Sequence, residues 1–533
     1  MRRPLLLNGF MATGKSSVGR KLAELTGSPF VDLDAEIEAR AQTSVATIFK
    51  ERGEQAFRKL EQEELVRVLG GWRDRLGLPP VVALGGGALL QRSTRVDALN
   101  QAVVVTLTAT PETIARRVSV HSGRPLLDGE DVRERAESLL ALRERSYLEA
   151  HAVLATDAES VEALAQRALE VWKDDPIAVA AEEASHVVQV GHGILAARLP
   201  GIVKGFTNTL LVTDRNVFPL HGRGLLESLR QNAPTGLCEL EPGEPHKDVQ
   251  SLSQIWDACH AQTLDRKSII VALGGGVVTD MAGFAAATWM RGIAWAGLPT
   301  TLLSMVDASV GGKTAIDYKD AKNSVGAFCH PRRVLCDIDV LATEPQRGFV
   351  SGLAEVVKTA IIGDEELFEI CKTQAASILT RDPACIEDIV RRCIRVKANV
   401  VSVDQKESGV RATLNLGHTI GHALESDAGY GVLAHGEAVS LGLVAALRIG
   451  ERLGATPSSL TREVESVLRQ LNLPTALDRA QLESAIALIG RDKKRTGAQL
   501  RFVVAKGVGA VQSVMLPLAE LERMTAELAA SLS

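Results

Sequence analysis

Arg3-Pro4-Leu5-Leu6-Leu7-Asn8-Gly9-Phe10-Met11-Ala12-Thr13-Gly14-Lys15-Ser16-Ser17 opens the chain with an apolar run that stops at asparagine and glycine. The run reads as a short buried strand, and Gly9–Ser16 matches the phosphate-loop pattern G-x-x-x-x-G-K-[ST]. A helical pattern follows through Val18, Leu22 and Leu25 and ends at Gly27. Strand, glycine loop and helix in that order predict an α/β unit with a parallel sheet. The loop glycines let backbone N–H groups of Ala12, Thr13 and their neighbours turn toward a nucleotide's phosphates, and the helix start at Ser16 and Ser17 adds its dipole. Lys15 supplies a charge to the β- and γ-phosphates, and the Ser16 hydroxyl can ligate the Mg²⁺ that accompanies ATP. A secretory leader is the competing reading of the opening run, but Asn8-Gly9 breaks it too soon.

The acceptor side begins at the next strand. Asp32 and Asp34 end that short segment, where one carboxylate can organise a metal's water shell and another orient an acceptor hydroxyl. Either aspartate alone can equally be a helix N-cap for Ala35–Ala41. A strand over Val81–Leu84 runs into Gly85-Gly86-Gly87, which permits close ligand approach at a strand's C-terminal end. Ser122-Gly123-Arg124-Pro125-Leu126-Leu127 has the punctuation of a mobile lid. Over residues 1–170 this set resembles the shikimate kinases: the phosphate loop, Asp32-x-Asp34, Phe57-Arg58, the triple glycine and Arg124-Pro125-Leu126-Leu127 occur in that family's order and spacing. The resemblance implies that Asp34, Arg58 and Gly86 bind shikimate, that Asp34 activates its 3-hydroxyl, and that Arg117 and Arg124 reach the ATP phosphates. It also implies a further shikimate arginine near Tyr147. Spacing favours Arg143 over Arg145, which stands where the family has proline.

Composition bounds the rest. The chain has 533 residues, too many for one core, and suggests about three or four domains. A net charge of −5 argues against nucleic acid as a partner. Seven cysteines without a C-x-x-C pair fit a reducing, cytoplasmic setting, and no apolar run is long enough for a membrane span. The expected division is 1–172, a linker at 173–176 (Lys173-Asp174-Asp175-Pro176), an α/β region at 177–345, and a mostly helical region at 346–533.

Within the second half, Leu210–Asp214 reads as a strand whose final aspartate can hold a ribose hydroxyl. Ile269–Leu273 runs into Gly274-Gly275-Gly276-Val277-Val278-Thr279-Asp280, a strand–glycine–helix unit able to seat a pyrophosphate, although not G-x-G-x-x-G. The Ala-Leu-Gly-Gly-Gly shared with Ala83–Gly87 is convergent use of glycine, because no second phosphate loop precedes it. Polar residues among small ones around Thr300, Thr301, Asp307, Ser309, Lys313, Lys322 and Asn323 point to a ligand-lined cleft, surface lysines being the plain alternative. Past Pro345 the pattern turns helical, with Glu355 and Lys358 on one face.

Three of the eleven histidines fall close together. His418 and His422 share a helix face, and His435 follows after Gly429-Tyr430-Gly431. By spacing alone they nominate a divalent-metal site, most often zinc, against the plainer reading of helix-face and surface histidines.

Residues 177–533 resemble the 3-dehydroquinate synthases through Gly-Gly-Gly-Val-Val-x-Asp280, Pro299–Leu303, Asp307-x-Ser309-Val310-Gly311-Gly312-Lys313, Ser351–Glu355, Leu414–His418 and His435-Gly436-Glu437. The resemblance implies a Rossmann-like NAD-binding domain followed by a mostly α-helical metal domain. It places Glu355, His418 and His435 on Zn²⁺ or another ion such as Co²⁺, and makes His422 a substrate-facing neighbour. NAD falls to Asp214, Asn216, Glu244, Lys247, Gly275–Asp280 (Gly275, Gly276, Val277, Val278, Thr279, Asp280), Thr300, Thr301 and Thr343, with Lys322 between cofactor and substrate. Lys313, Asn323, Lys358, Lys397, Arg411, Asn415, His422 and Lys494 surround a phosphorylated sugar acid, with Lys313 also near the cofactor. Thr279 departs from the family's glycine. The expected protein is therefore a bifunctional enzyme that uses ATP, shikimate and a heptulosonate phosphate, and forms a homodimer through the synthase half. The competing reading is a metal-dependent polyol dehydrogenase carrying a regulatory or other small-molecule kinase domain.

Overall fold

β1 (Leu5–Asn8), the opening apolar run, occupies the middle of a five-stranded sheet in the computed structural model. Its companions are β2 (Phe30–Asp32), β3 (Val81–Ala83), β4 (Val103–Thr108) and β5 (Ala152–Ala155), in the order β2-β3-β1-β4-β5. Every neighbour pair is parallel. Leu6 packs into the core on one face and Leu5 and Leu7 into the core on the other, which is why the strand is apolar throughout. The structure describes residues 3–118, 132–182, 184–319, 321–407, 409–429, 432–489, 495–496 and 499–532. Arg124 with its lid, and Lys494, lie outside them.

The chain divides into two units, Met1–Ala180 and Ala181–Ser533. The first continues past the expected linker. Its helix Val161–Asp174 runs through Lys173, and Arg3 donates to Asp175 (2.8 Å) and to the Pro176 carbonyl (2.7 Å). β6 (Ile177–Ala180) follows, and its Ala178 and Ala180 pack in one core with Leu6, Val82 and Val104.

The second unit holds β7 (Ser185–Gly191), β8 (Thr209–Asp214), β9 (Thr235–Leu240), β10 (Ile269–Gly274), β11 (Ala294–Pro299), a hairpin of β12 (Lys313–Tyr318) and β13 (Ala321–Phe328), and β14 (Arg333–Asp337). Its parallel sheet runs β7-β14-β11-β10-β8-β9. From Gln346 onward the described residues are mostly helical, with one antiparallel sheet of Arg495–Thr496, Gln499–Gly507 and Ala510–Pro517 that periodicity did not announce. Among the described residues no helix is long and apolar enough to cross a membrane.

Three helices matter most: Gln346–Gly363, His418–Ala428 and His435–Arg452. They approach so closely that glycine is required at the crossings. A Cβ on Gly436 would lie 1.8 Å from the Ser351 carbonyl oxygen, and one on Gly442 would lie 2.1 Å from that of Gly417. The Gly436 N–H also donates to Ser351 Oγ (2.9 Å).

Candidate functional site

In the first unit the phosphate loop links β1 to the helix Lys15–Thr26, which Gly14 opens in the left-handed region (φ 93°). Gly9 has φ 131°, and a Cβ there would stand 2.1 Å from the Leu107 carbonyl oxygen. Lys15 Nζ donates to the carbonyls of Gly9 (2.8 Å) and Phe10 (2.9 Å), which holds the ammonium against the loop. Ser16 donates its hydroxyl proton to Asp32 Oδ2 (2.9 Å), so the candidate magnesium ligand and the strand-end carboxylate already meet. Arg117 donates to the Ala12 carbonyl (3.1 Å) and the Thr156 carbonyl (2.7 Å), tying the loop to the end of β5.

Asp34 lies in the first turn of the helix Leu33–Ala41, where Asp32 is the N-cap residue yet makes no capping bond. Oδ1 of Asp34 is buried with no hydrogen-bond partner. Burial, reinforced by the charge of Asp32, raises its pKa. Arg58 donates to Glu61 (2.6 Å) and Glu54 (3.1 Å). The triple glycine makes room for this group: a Cβ on Gly85 would meet Glu61 Oε1 at 2.2 Å and Asp34 Oδ1 at 2.9 Å, and one on Gly87 the Arg58 guanidinium at 2.3 Å. The Gly86 carbonyl accepts the Tyr147 hydroxyl proton. Arg143 is half-buried over the Phe10 ring, 5.9 Å from its centroid, whereas Arg145 is exposed.

Glu61 is a residue that sequence reading missed, since no motif marks a carboxylate three positions after Arg58. Burial pushes its pKa up from 4.5 to about 7 against the pull of Arg58. The folded state therefore holds this proton more tightly than the unfolded chain. The stability it contributes is complete below about pH 4.5 and is lost as pH rises through about 7. In Glu61→Gln the first unit's melting temperature should fall less steeply across that window than in the parent; an unchanged slope would assign the pH dependence elsewhere.

In the second unit the cofactor candidates gather at the C-terminal ends of β8, β10, β11 and β14. The Asp214 carboxylate accepts N–H groups of Asn216 (2.9 Å) and Val217 (3.0 Å). Gly275 and Gly276 open the helix Gly276–Thr288, which carries Val277, Val278, Thr279 and Asp280. The Thr279 hydroxyl donates back to Gly276 (3.1 Å), so the departure from glycine is absorbed inside the helix. Buried Lys247 donates to Asp280 (2.5 Å) and to Asn323 Oδ1 (2.5 Å). Thr300 donates its N–H to the Gly274 carbonyl (3.0 Å), and Thr301 Oγ1 accepts from Ser304 N (3.2 Å). Thr343 pairs with His221 (2.7 Å). Lys322 lies 4.0 Å from Glu244.

Next to this set, Oε1 of Glu355 lies 3.5 Å from His418 Nε2 and 3.6 Å from His435 Nε2. Ligands bound tetrahedrally at about 2.1 Å stand about 3.4 Å apart, so this donor set fits Zn²⁺ or a similar ion. The spacing-based trio with His422 has a different outcome: the His422 donor groups with Glu425 and His435 instead, and its ring is exposed. Helix periodicity put His418 and His422 on one face but was blind to Glu355, which arrives from another helix through the glycine crossings. Lys358 ion-pairs with Glu355, both side chains nearly inaccessible. Burial opposes charge on His435, but Glu355 and Glu425 hold its pKa up, at about 9.

The remaining substrate candidates form a second wall. Buried Lys397 pairs with Asp307 through its carbonyl (2.6 Å) and its carboxylate. The charges of Lys358 and His435 also act on Asp307, so it lies within electrostatic reach of both sets. Glu407 accepts from Lys313 and from the Asn415 amide. Buried Arg411 donates to the carbonyls of Gln405 and Gly311. Sequence reading quoted Asp307 without giving it a role and missed Glu407 and Glu425, because ion pairs spanning 90 or more residues leave no local pattern.

Comparison with known proteins gives three family matches: "Shikimate kinase" over residues 11–173, "3-dehydroquinate synthase N-terminal" over 237–351 and "3-dehydroquinate synthase C-terminal" over 352–495. The 3-dehydroquinate synthase of Laribacter hongkongensis is 45% identical over 329 residues, 60% of this chain and 90% of that protein. That of Caulobacter vibrioides is 44% identical over 61% and 91% of the respective chains. Among solved structures, 2-epi-5-epi-valiolone synthase from Streptomyces hygroscopicus subsp. jinggangensis, with NAD⁺ and Zn²⁺ bound, matches with a TM-score of 0.58 and 27% identity, covering 66% of this chain and 98% of that one.

Proposed function

We propose how one polypeptide runs two reactions from the premise that it belongs to the 3-dehydroquinate synthase family and carries a shikimate kinase domain ahead of the synthase. The kinase half transfers a phosphoryl group from ATP to shikimate. The synthase half converts 3-deoxy-D-arabino-heptulosonate 7-phosphate to 3-dehydroquinate and phosphate. The polyol-dehydrogenase reading gives way, because synthase matches cover 237–495. We take the domains along the sequence as 1–172, 177–345 and 346–533, with the strand Ile177–Ala180 that opens the second packing in the first unit's core, the protein as cytoplasmic in keeping with its seven free cysteines, and the assembly as a homodimer through the synthase half.

In the kinase, Lys15 would leave the Gly9 and Phe10 carbonyls for the ATP phosphates, and Ser16 with Asp32 would hold Mg²⁺ and its water. Arg58, Gly86 and Arg143 would orient shikimate. Asp34 would take the 3-hydroxyl proton, burial making its carboxylate the better base. In the synthase, NAD would lie along Asp214, Lys247 and the Gly275–Asp280 turn. Glu355, His418 and His435 would hold the divalent ion; when bound, the ion would supply polarisation of the substrate's oxygens and NAD would supply a reversible hydride acceptor. Lys313, Asn415 and Arg411 would receive the phosphate, displacing Glu407 from the first two. Lys397 would meet the developing leaving-group charge, and the exposed His422 would relay protons.

The convergence of Glu355, His418 and His435 beside the cofactor turn carries the synthase reading. Supplied with catalytic NAD and the heptulosonate phosphate, the purified chain should release phosphate without accumulating NADH. Steady NADH production would instead identify a dehydrogenase.

A further inference from the structure

We propose that Glu425 is a positioning residue of the metal centre, gripping His435 with one carboxylate oxygen and Lys322 with the other, and so joining the cofactor pocket to the metal. The inference rests on the synthase reading above. Glu425 sits on the helix His418–Ala428, and its side chain is only 12% exposed. Oε2 lies 3.4 Å from His435 Nδ1, the ring nitrogen opposite the Nε2 that faces Glu355. Oε1 accepts from Lys322 Nζ at 2.9 Å. Lys322 leads on to Glu244 (4.0 Å), and its chain neighbour Asn323 accepts from Lys247, the partner of Asp280.

A carboxylate that takes the Nδ1–H of a ligating histidine fixes the tautomer and the ring plane, leaving the Nε2 lone pair aimed at the metal. Here the same carboxylate also neutralises a lysine that stands beside the cofactor residues. A cofactor that draws Lys322 or Glu244 toward itself changes the grip on His435, and by linkage the metal must then change affinity for the cofactor by the same factor. A plain buried ion pair would account for Lys322 but leaves the His435 contact without a purpose. Direct ligation is the other possibility, since His422, Glu425 and His435 can also be grouped around an ion.

The test uses the full-length chain, zinc competition with a chromogenic chelator, and NAD titration with and without zinc. Glu425→Ala should weaken zinc binding about 10- to 100-fold and abolish the zinc–NAD coupling. Glu425→Gln keeps an acceptor for Nδ1–H but no charge for Lys322, so it should hold zinc within about threefold of the parent and still lose the coupling. A parent-like circular-dichroism melt in both variants shows that the fold is intact. Zinc binding by Glu425→Ala equal to the parent's overturns the inference alone. Two zinc ions per parent chain falling to one in Glu425→Ala makes Glu425 a ligand and overturns it too. A parent chain that takes up no zinc overturns the synthase reading itself, and this inference with it.

Discussion

Asp34→Asn should abolish shikimate-dependent ADP formation while leaving synthase turnover at the parent's level. The substitution preserves size but removes the carboxylate of Asp34, whose basicity burial raises. Loss of a positioned proton acceptor costs about 10²- to 10⁴-fold in rate. A coupled ADP assay and a phosphate-release assay on the same preparation measure both halves at once. Kinase turnover in the variant equal to the parent's would refute the assignment of Asp34. A parallel fall in synthase activity would show global damage instead.

The second large effect separates two histidines that spacing alone treats alike. His435→Ala should lose bound zinc and synthase activity together, because it removes one of three converging donors. His422→Ala should retain most of its zinc yet lose turnover, since its ring is exposed beside the donors and suited to moving protons. Metal content by elemental analysis, read against phosphate release, distinguishes the two. Equal zinc loss in both variants would restore His422 as a ligand. Dialysis against chelator should likewise stop only the synthase, with Mg²⁺ returned for the kinase.

Much of the architecture was legible because each unit contains a strand–glycine–helix segment whose local chemistry permits few alternatives. Gly9 shows why: its left-handed φ and the Leu107 carbonyl exclude any side chain, so the motif and the fold are one constraint. Asp34, Arg58 and Gly86 were nominated by the family resemblance, and the structure brings Asp34 and Arg58 to the triple glycine. Glu61, Asp307, Glu407 and Glu425 were not readable, for each acts through a partner brought close only by folding. The hairpin Gln499–Pro517 also escaped, as its strands follow a long helical stretch. The histidine stretch misled in one particular. A helix face reveals which donors are neighbours on that helix and says nothing of a carboxylate arriving from the helix Gln346–Gly363.

That arrival has a consequence for how this centre tolerates change over evolutionary time. The spacing of Glu355, His418 and His435 follows from main chain resting on main chain at Gly436 and Gly442, with only the Ser351 hydroxyl bridging the first crossing. Adding a single methyl group at either glycine would therefore force two helices apart and disturb the spacing of the three candidate donors. Sequence divergence in this region should pool around the cage and leave those two positions untouched.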